Sequence, residues 1–215
     1  MQITVNHAQA RKAVLHSQSG SPLRRERWAW RVSMIFSPPL VCAVSLLGLA
    51  AYLATPEAWG WSLIDMVLIV GLPMLFVAWL VQTGRASDID LRHRHQRAWP
   101  YLVTILTAGV AVGLSFVFGA PRLFTLLIGA LMAQTVILAV ITRVWKISLH
   151  SATVAGAGVV AWHLAGPASL LILALTPLVA WSRIVLRRHD LAQTVAGALV
   201  GGLVYSAAFL LIPGV

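Results

Sequence analysis

Charge is scarce in this sequence. Only 10% of its 215 residues are Asp, Glu, Lys or Arg, while 59% are hydrophobic. A soluble domain uses roughly 25% charged residues to keep its surface wet, so a soluble enzyme and a disordered protein are both excluded. Acidic residues are rarest, 6 against 16 Lys and Arg, for a formal charge of +10. Cysteine occurs once, at Cys42, which excludes an internal disulfide. There is no cysteine cluster, no His-x3-His pair inside an apolar run and no Asp-Asp-x-x-Asp sequence for magnesium and diphosphate. A metal or other cofactor is therefore not expected, and Asp88-x-Asp90 is only a faint magnesium pattern. Residues 1–29 are basic and lack the compact charged region and prompt cleavage site of a signal peptide.

Apolar runs are what the chain has in abundance. About 20 predominantly apolar residues cross roughly 30 Å of hydrocarbon. Seven stretches qualify: 32–55, 62–83, 99–118, 121–143, 148–165, 167–186 and 191–212. The expected fold is an all-α polytopic membrane bundle of six or seven transmembrane helices. Thr55-Pro56-Glu57, Gly119-Ala120-Pro121 and Gly166-Pro167 supply turn chemistry between spans. Pro73 and Pro177 are expected to kink their helices. Gly109/Gly113 and Gly197/Gly201 have the spacing of close helix packing. The chain divides into a basic tail (1–29), two N-terminal spans (30–84) and a larger unit (85–215).

Seven spans put the N-terminus, the 84–98 loop, the 144–147 turn and the 187–190 turn on one side. Every Lys and Arg except Arg122 lies there or at a span end facing it. Positive charge marks the cytoplasmic side, so the expectation is a multi-pass cell-membrane protein with a cytoplasmic N-terminus and an extracytoplasmic C-terminus. Trp99, Trp145 and Trp181 fit the cytoplasmic interface, Trp59 and Trp61 the other. Arg24, Arg25, Arg27, Trp28 and Trp30 are expected against lipid headgroups. The bilayer is the partner that explains the basic excess, and nucleic acid is not needed.

Ionisable groups at the ends of spans are costly and point to function. Three clusters stand on the basic side: Asp88 to Pro100, with Arg92, Arg94 and Arg97; Lys146-Ile-Ser148-Leu-His150-Ser151; and Ser182-Arg183 to His189 and Gln193. Arg and Lys hold phosphate oxygens through charge-assisted hydrogen bonds, and histidine titrates near neutrality, so it can be nucleophile, acid or base. The combination suits a lipid phosphate headgroup at a reacting centre. His7, His16, His93 and His95 read as loop residues, and His163, beside Trp162, as an interfacial histidine. Arg187 and Arg188 suit either lipid anchoring or substrate binding.

The third cluster, Ser182-Arg183, five residues, then His189, resembles the last signature of the type-2 phosphatidic acid phosphatase superfamily, S-R-x5-H-x3-D. Ser148-Leu149-His150 is similar to its middle signature, P-S-G-H, and Arg92, six residues, then Trp99-Pro100 to its opening K-x6-R-P. The resemblance covers about residues 85–205. It implies that His189 attacks phosphorus and forms a phosphohistidine, and that His150 protonates the leaving lipid oxygen. It further implies that Arg183 and Arg92 hold the phosphate, helped by Ser148, with no metal. Lys146, Arg97 and Ser182 join this set by their places in the clusters.

Three departures stand out. Gln193 replaces the family's Asp, one turn from His189, where its amide oxygen can orient the imidazole without supplying charge. Leu149 and Ile147 replace the glycine and proline of the middle signature, and Trp99 replaces an arginine, for which Arg97 is a substitute. The expected activity is hydrolysis of a membrane lipid phosphate, an isoprenoid (polyprenyl) phosphate or diphosphate before phosphatidate or phosphatidylglycerophosphate, at the cytoplasmic interface. The rivals are an isoprenoid diphosphate cyclase, lyase or transferase of the same fold, and a non-enzymatic lipid-phosphate carrier.

Overall fold

The computed structural model describes residues 24–211, and every regular element among them is helical. The elements are α1 (Arg24–Ile35), α2 (Pro38–Leu53), α3 (Pro56–Asp65), a π-helix (Met66–Gly71), α4 (Leu72–Gln82), a 3-10 turn (Arg94–Arg97), α5 (Ala98–Phe118), α6 (Arg122–Val144), α7 (Leu149–Ala165), a 3-10 turn (Gly166–Ser169), α8 (Leu170–Val185) and α9 (Leu191–Phe209). Five helical stretches are long and apolar enough to cross a membrane, and the bent pair α1–α2 makes a sixth. Their outward faces are apolar, as at Val117, Val144 and Leu171, while Asp65, Gln134, Arg183 and a set of serines and threonines are buried. This arrangement, apolar outside and polar inside, suits lipid as the solvent.

Three boundaries differ from expectation. The stretch 32–55 is two helices meeting at 44°. Pro38 and Pro39 lack the N–H groups that continuation would need, and Ser37 before them is extended at φ −66, ψ 146. The basic tail is also partly structured: residues 24–29 open α1, while residues 1–23, with His7 and His16, lie outside the described residues. In the second stretch the helix starts earlier than read, at Pro56, because Thr55 accepts the Ala58 N–H through its hydroxyl. The π-helix then ends just before Leu72-Pro73, and its wider turn gives Pro73 room where an ordinary turn would meet the carbonyl four residues back.

The 37-residue stretch Leu149–Val185 is not one rod. Gly166 breaks it at φ 60, ψ −144, and His150 near its start lies 3.5 Å from Arg183 near its end. Its arms, α7 and α8, therefore run antiparallel, at 17 and 16 residues each about 25 Å long. α9 packs along α7 through glycines: a Cβ on Gly197 would overlap the Ser148 carbonyl, and one on Gly201 the Ala152 carbonyl. Gly109 and Gly113 differ: Gly109 meets only the Met132 sulfur at 3.8 Å, and nothing lies within 4 Å of a Cβ on Gly113.

Candidate active site

The starts of α7 and α9, the end of α8, the end of α1 and the start of α5 gather at one end of the bundle. Local rules place each side chain. Ser148 caps α7, its hydroxyl accepting the Ser151 N–H at 3.3 Å and the Ser151 hydroxyl at 3.0 Å. That cap sets His150 in the first turn, buried at 6% exposure. α8 ends in a turn with Arg187 left-handed at φ 51, and the Arg183 carbonyl accepts the N–H groups of Arg188 (2.9 Å) and His189 (3.3 Å). The interval between Arg183 and His189 is therefore the length of one helix-ending turn.

Asp190 then caps α9: its Oδ1 accepts the Gln193 N–H at 2.8 Å and its Oδ2 the Gln193 side-chain amide at 2.9 Å. Because Nε2 of Gln193 faces that carboxylate, Oε1 is the atom left for His189 Nδ1, at 2.9 Å. An imidazole Nδ1 facing a carbonyl oxygen carries the proton, which leaves the Nε2 lone pair free. Asp190 thus acts on His189 through Gln193. α7 and α9 are joined at the same level, since the Ser148 N–H donates to the Gln193 carbonyl at 3.2 Å.

Arg183, 1% exposed, is the centre of the cluster. Its Nη1 donates to Ser33 Oγ (2.6 Å) and Asp90 Oδ2 (3.0 Å), with His150 Nε2 at 3.5 Å. Arg97 is also buried and donates to the carbonyls of Leu91 (3.0 Å) and Ile147 (3.1 Å). Arg97, Asp90, His150, Arg183 and His189 line the polar end of a cavity of about 520 Å³, which continues between the α1–α2 bend and the π-helix along apolar residues such as Met34, Pro38, Val70 and Pro73.

Other expected site residues lie off this cavity. Arg92 is exposed, and Arg94 donates to the Val144 carbonyl at 2.7 Å. Ser182 is buried with its hydroxyl on the Val179 carbonyl at 2.8 Å. Lys146, Ser148 and Gln193 are not on the cavity wall, and Gln193 joins the Ser148 N–H to the His189 ring. Asp88 and Asp90, read as a faint metal pattern, are each paired with an arginine, Arg188 at 3.2 Å and Arg183 at 3.0 Å. His93 and His95 are exposed and stack on each other, and His163 stacks on Phe209 at 4.0 Å, away from the cluster.

Ser33 and the Asp90 pairing had no sequence signal of their own. Ser33 lies 150 residues from Arg183, Asp90 93 residues. Ala29 and Ser33, small and one turn apart, are the two buried residues of α1.

The crowd of cations shapes the protonation of the site. Burial, then the charges of Arg97 and Arg183, lower the His189 pKa from 6.5 to about 3, with the Gln193 hydrogen bond opposing and Lys146 adding to the fall. His189 is therefore neutral at neutral pH, the form in which imidazole is a nucleophile. Burial first, then repulsion from Arg97, Arg183, Arg188 and Arg92, also pulls the Lys146 pKa down. No family model, curated protein or solved structure matches the chain.

Proposed function

We propose that this chain is an integral-membrane lipid phosphohydrolase with the chemistry of the type-2 phosphatidic acid phosphatase superfamily, working from the cytoplasmic interface. The observation that carries the reading is the meeting of His150, from the start of α7, with Arg183 and His189, from the turn that ends α8, at the polar end of an apolar cavity. Arg183 holds the phosphate, and Arg97 adds positive charge beside it. Nε2 of His189 attacks phosphorus, and the bond to the lipid oxygen breaks. The departing oxygen takes a proton from His150, whose protonated form is favoured once a dianionic phosphate sits against it. Water then cleaves the phosphorus–nitrogen bond. Fixed cations stabilise the charge that gathers on the equatorial oxygens, so the step needs no metal. The apolar part of the cavity takes the tail of an isoprenoid phosphate or diphosphate, or of a phosphatidate.

Product analysis tests this reading. Purified protein given radiolabelled isoprenoid diphosphate is expected to release phosphate and the isoprenyl monophosphate, then the unrearranged alcohol in a second hydrolysis. Phosphatidate, given separately, should yield phosphate and diacylglycerol. A hydrocarbon product would instead support ionisation by a cyclase or lyase. That rival draws on one feature: Gln193 gives the His189 imidazolium no negative charge.

The pH profile is a second test. Protonating Nε2 stops the attack, and that proton binds only near pH 3. The kcat/KM profile should therefore show no acid limb from His189 between about pH 5 and 7. Gln193→Glu places a carboxylate on the Nδ1 proton, raises the His189 pKa, and should move that limb upward. An unchanged profile in Gln193→Glu would deny His189 the nucleophile's role.

A further inference from the structure

The mechanism leaves Asp88 and Asp90 without work, yet both lie on the site's cations. Residues 88–91 present one oxygen to each of three arginines. Asp90 Oδ2 accepts from Arg183 at 3.0 Å, Asp88 Oδ2 from Arg188 at 3.2 Å, and the Leu91 carbonyl from Arg97 at 3.0 Å. The segment closes with the Leu91 N–H on the Asp88 carbonyl at 3.1 Å. Leu91 is left-handed at φ 51, a region that disfavours a branched side chain. The arginines, rather than local preference, hold this strap in place. Ile89, Asp90 and Leu91 all line the cavity. Nε of Arg183 is buried without a partner, so the guanidinium keeps an unused donor even with Asp90 bound.

Resting on the phosphate-transfer reading, we propose that Asp90 occupies the phosphate subsite as a built-in competitor. A phosphate monoester, free or on a lipid, binds Arg183 by displacing the Asp90 carboxylate. The incoming dianion brings more charge and more acceptor oxygens than one carboxylate oxygen supplies. Apparent affinity is the intrinsic affinity multiplied by the fraction of time the strap is open. Free phosphate, with only its charge to contribute, is held off, whereas a lipid phosphate also gains from its tail in the cavity. The strap weakens both by the same factor, and the tail alone separates the lipid from the free ion.

Binding to the full chain in detergent micelles tests this. Inorganic phosphate and short-chain phosphatidate are titrated separately into wild type, Asp90→Asn and Asp88→Asn. Asparagine keeps the size and a carbonyl acceptor but removes the charge. Asp90→Asn is expected to tighten both ligands at least tenfold, by the same factor. Inorganic phosphate should also raise its thermal midpoint more than that of wild type. Asp88→Asn, which frees Arg188 without touching the Arg183–Asp90 pair, should tighten both less. Should Asp90→Asn not fold, this variant decides, and unchanged binding in it overturns the proposal. If wild type binds phosphate and Asp90→Asn binds it equally or more weakly, Asp90 is only a structural partner of Arg183; the strap is refuted and the phosphohydrolase reading stands. Tightening for inorganic phosphate alone would put that ion in another site and refute the shared subsite. No binding by any of the three proteins refutes both readings.

Discussion

His189→Ala is expected to lower phosphate release from a lipid phosphate on the order of 10⁴-fold or more, because it removes the proposed nucleophile. The geometry leaves no substitute. Nε2 of His189 is the free nitrogen, since Nδ1 is held by Gln193 at 2.9 Å, and His150 Nε2 is taken up with Arg183 at 3.5 Å. Loss of His150 should be milder for a substrate with a good leaving group. For diphosphates the departing phosphate needs little protonation, so His150→Ala should slow monoester hydrolysis far more than diphosphate hydrolysis. The two substrates assayed side by side check this difference. Full activity in both alanine variants would mean that the histidines are bystanders. No phosphate release by wild type from any lipid phosphate would favour the carrier.

A methyl group on Gly197 or Gly201 is expected to have the largest structural effect. Each Cβ would overlap a backbone carbonyl of the neighbouring segment, Ser148 for Gly197 and Ala152 for Gly201. Backbone cannot swing aside as a side chain can, so α7 and α9 must part. Overpacking of this kind costs about 1–3 kcal/mol, read as a fall in thermal midpoint in detergent. The two variants should differ in activity. Gly197 supports Ser148, the cap that sets His150, while His189 precedes the start of α9. Separating these ends by about 1 Å costs on the order of 10²-fold in rate, so Gly197→Ala should lose more activity per unit of stability than Gly201→Ala. Gly113→Ala is the control: nothing lies within 4 Å of its Cβ, and its stability should stay within about 0.5 kcal/mol of wild type.

These glycines also show how far sequence reasoning reached. Both pairs have the same four-residue spacing, but spacing identifies a helix face and not what stands opposite it. Of these four glycines, only Gly197 and Gly201 face backbone. Arg183, His189 and Gln193 were legible because their relation is local, one helix-ending turn and one capping turn. His150 could be placed by its serine cap in the same way. Ser33 and Asp90 come from distant segments, and no local pattern encodes such an arrival. Pro38-Pro39 is a break signal inside an apolar run, and reading 32–55 by apolarity alone passes over it. Lipid rewards apolar length and is indifferent to a bend, so hydropathy alone runs through such a break. Arg92 and Arg97 illustrate the same limit. Motif spacing favoured the first, while burial and the cavity favour the second.

The central claim is that His189 carries the phosphoryl group. The direct measurement is to quench purified protein during turnover of a ³²P-labelled lipid phosphate and map the labelled peptide by mass spectrometry. A phosphohistidine at His189, labile to acid, stable to base and absent from His189→Ala, is the predicted result. Steady phosphate release with no label on His189, undiminished in His189→Ala, would contradict it.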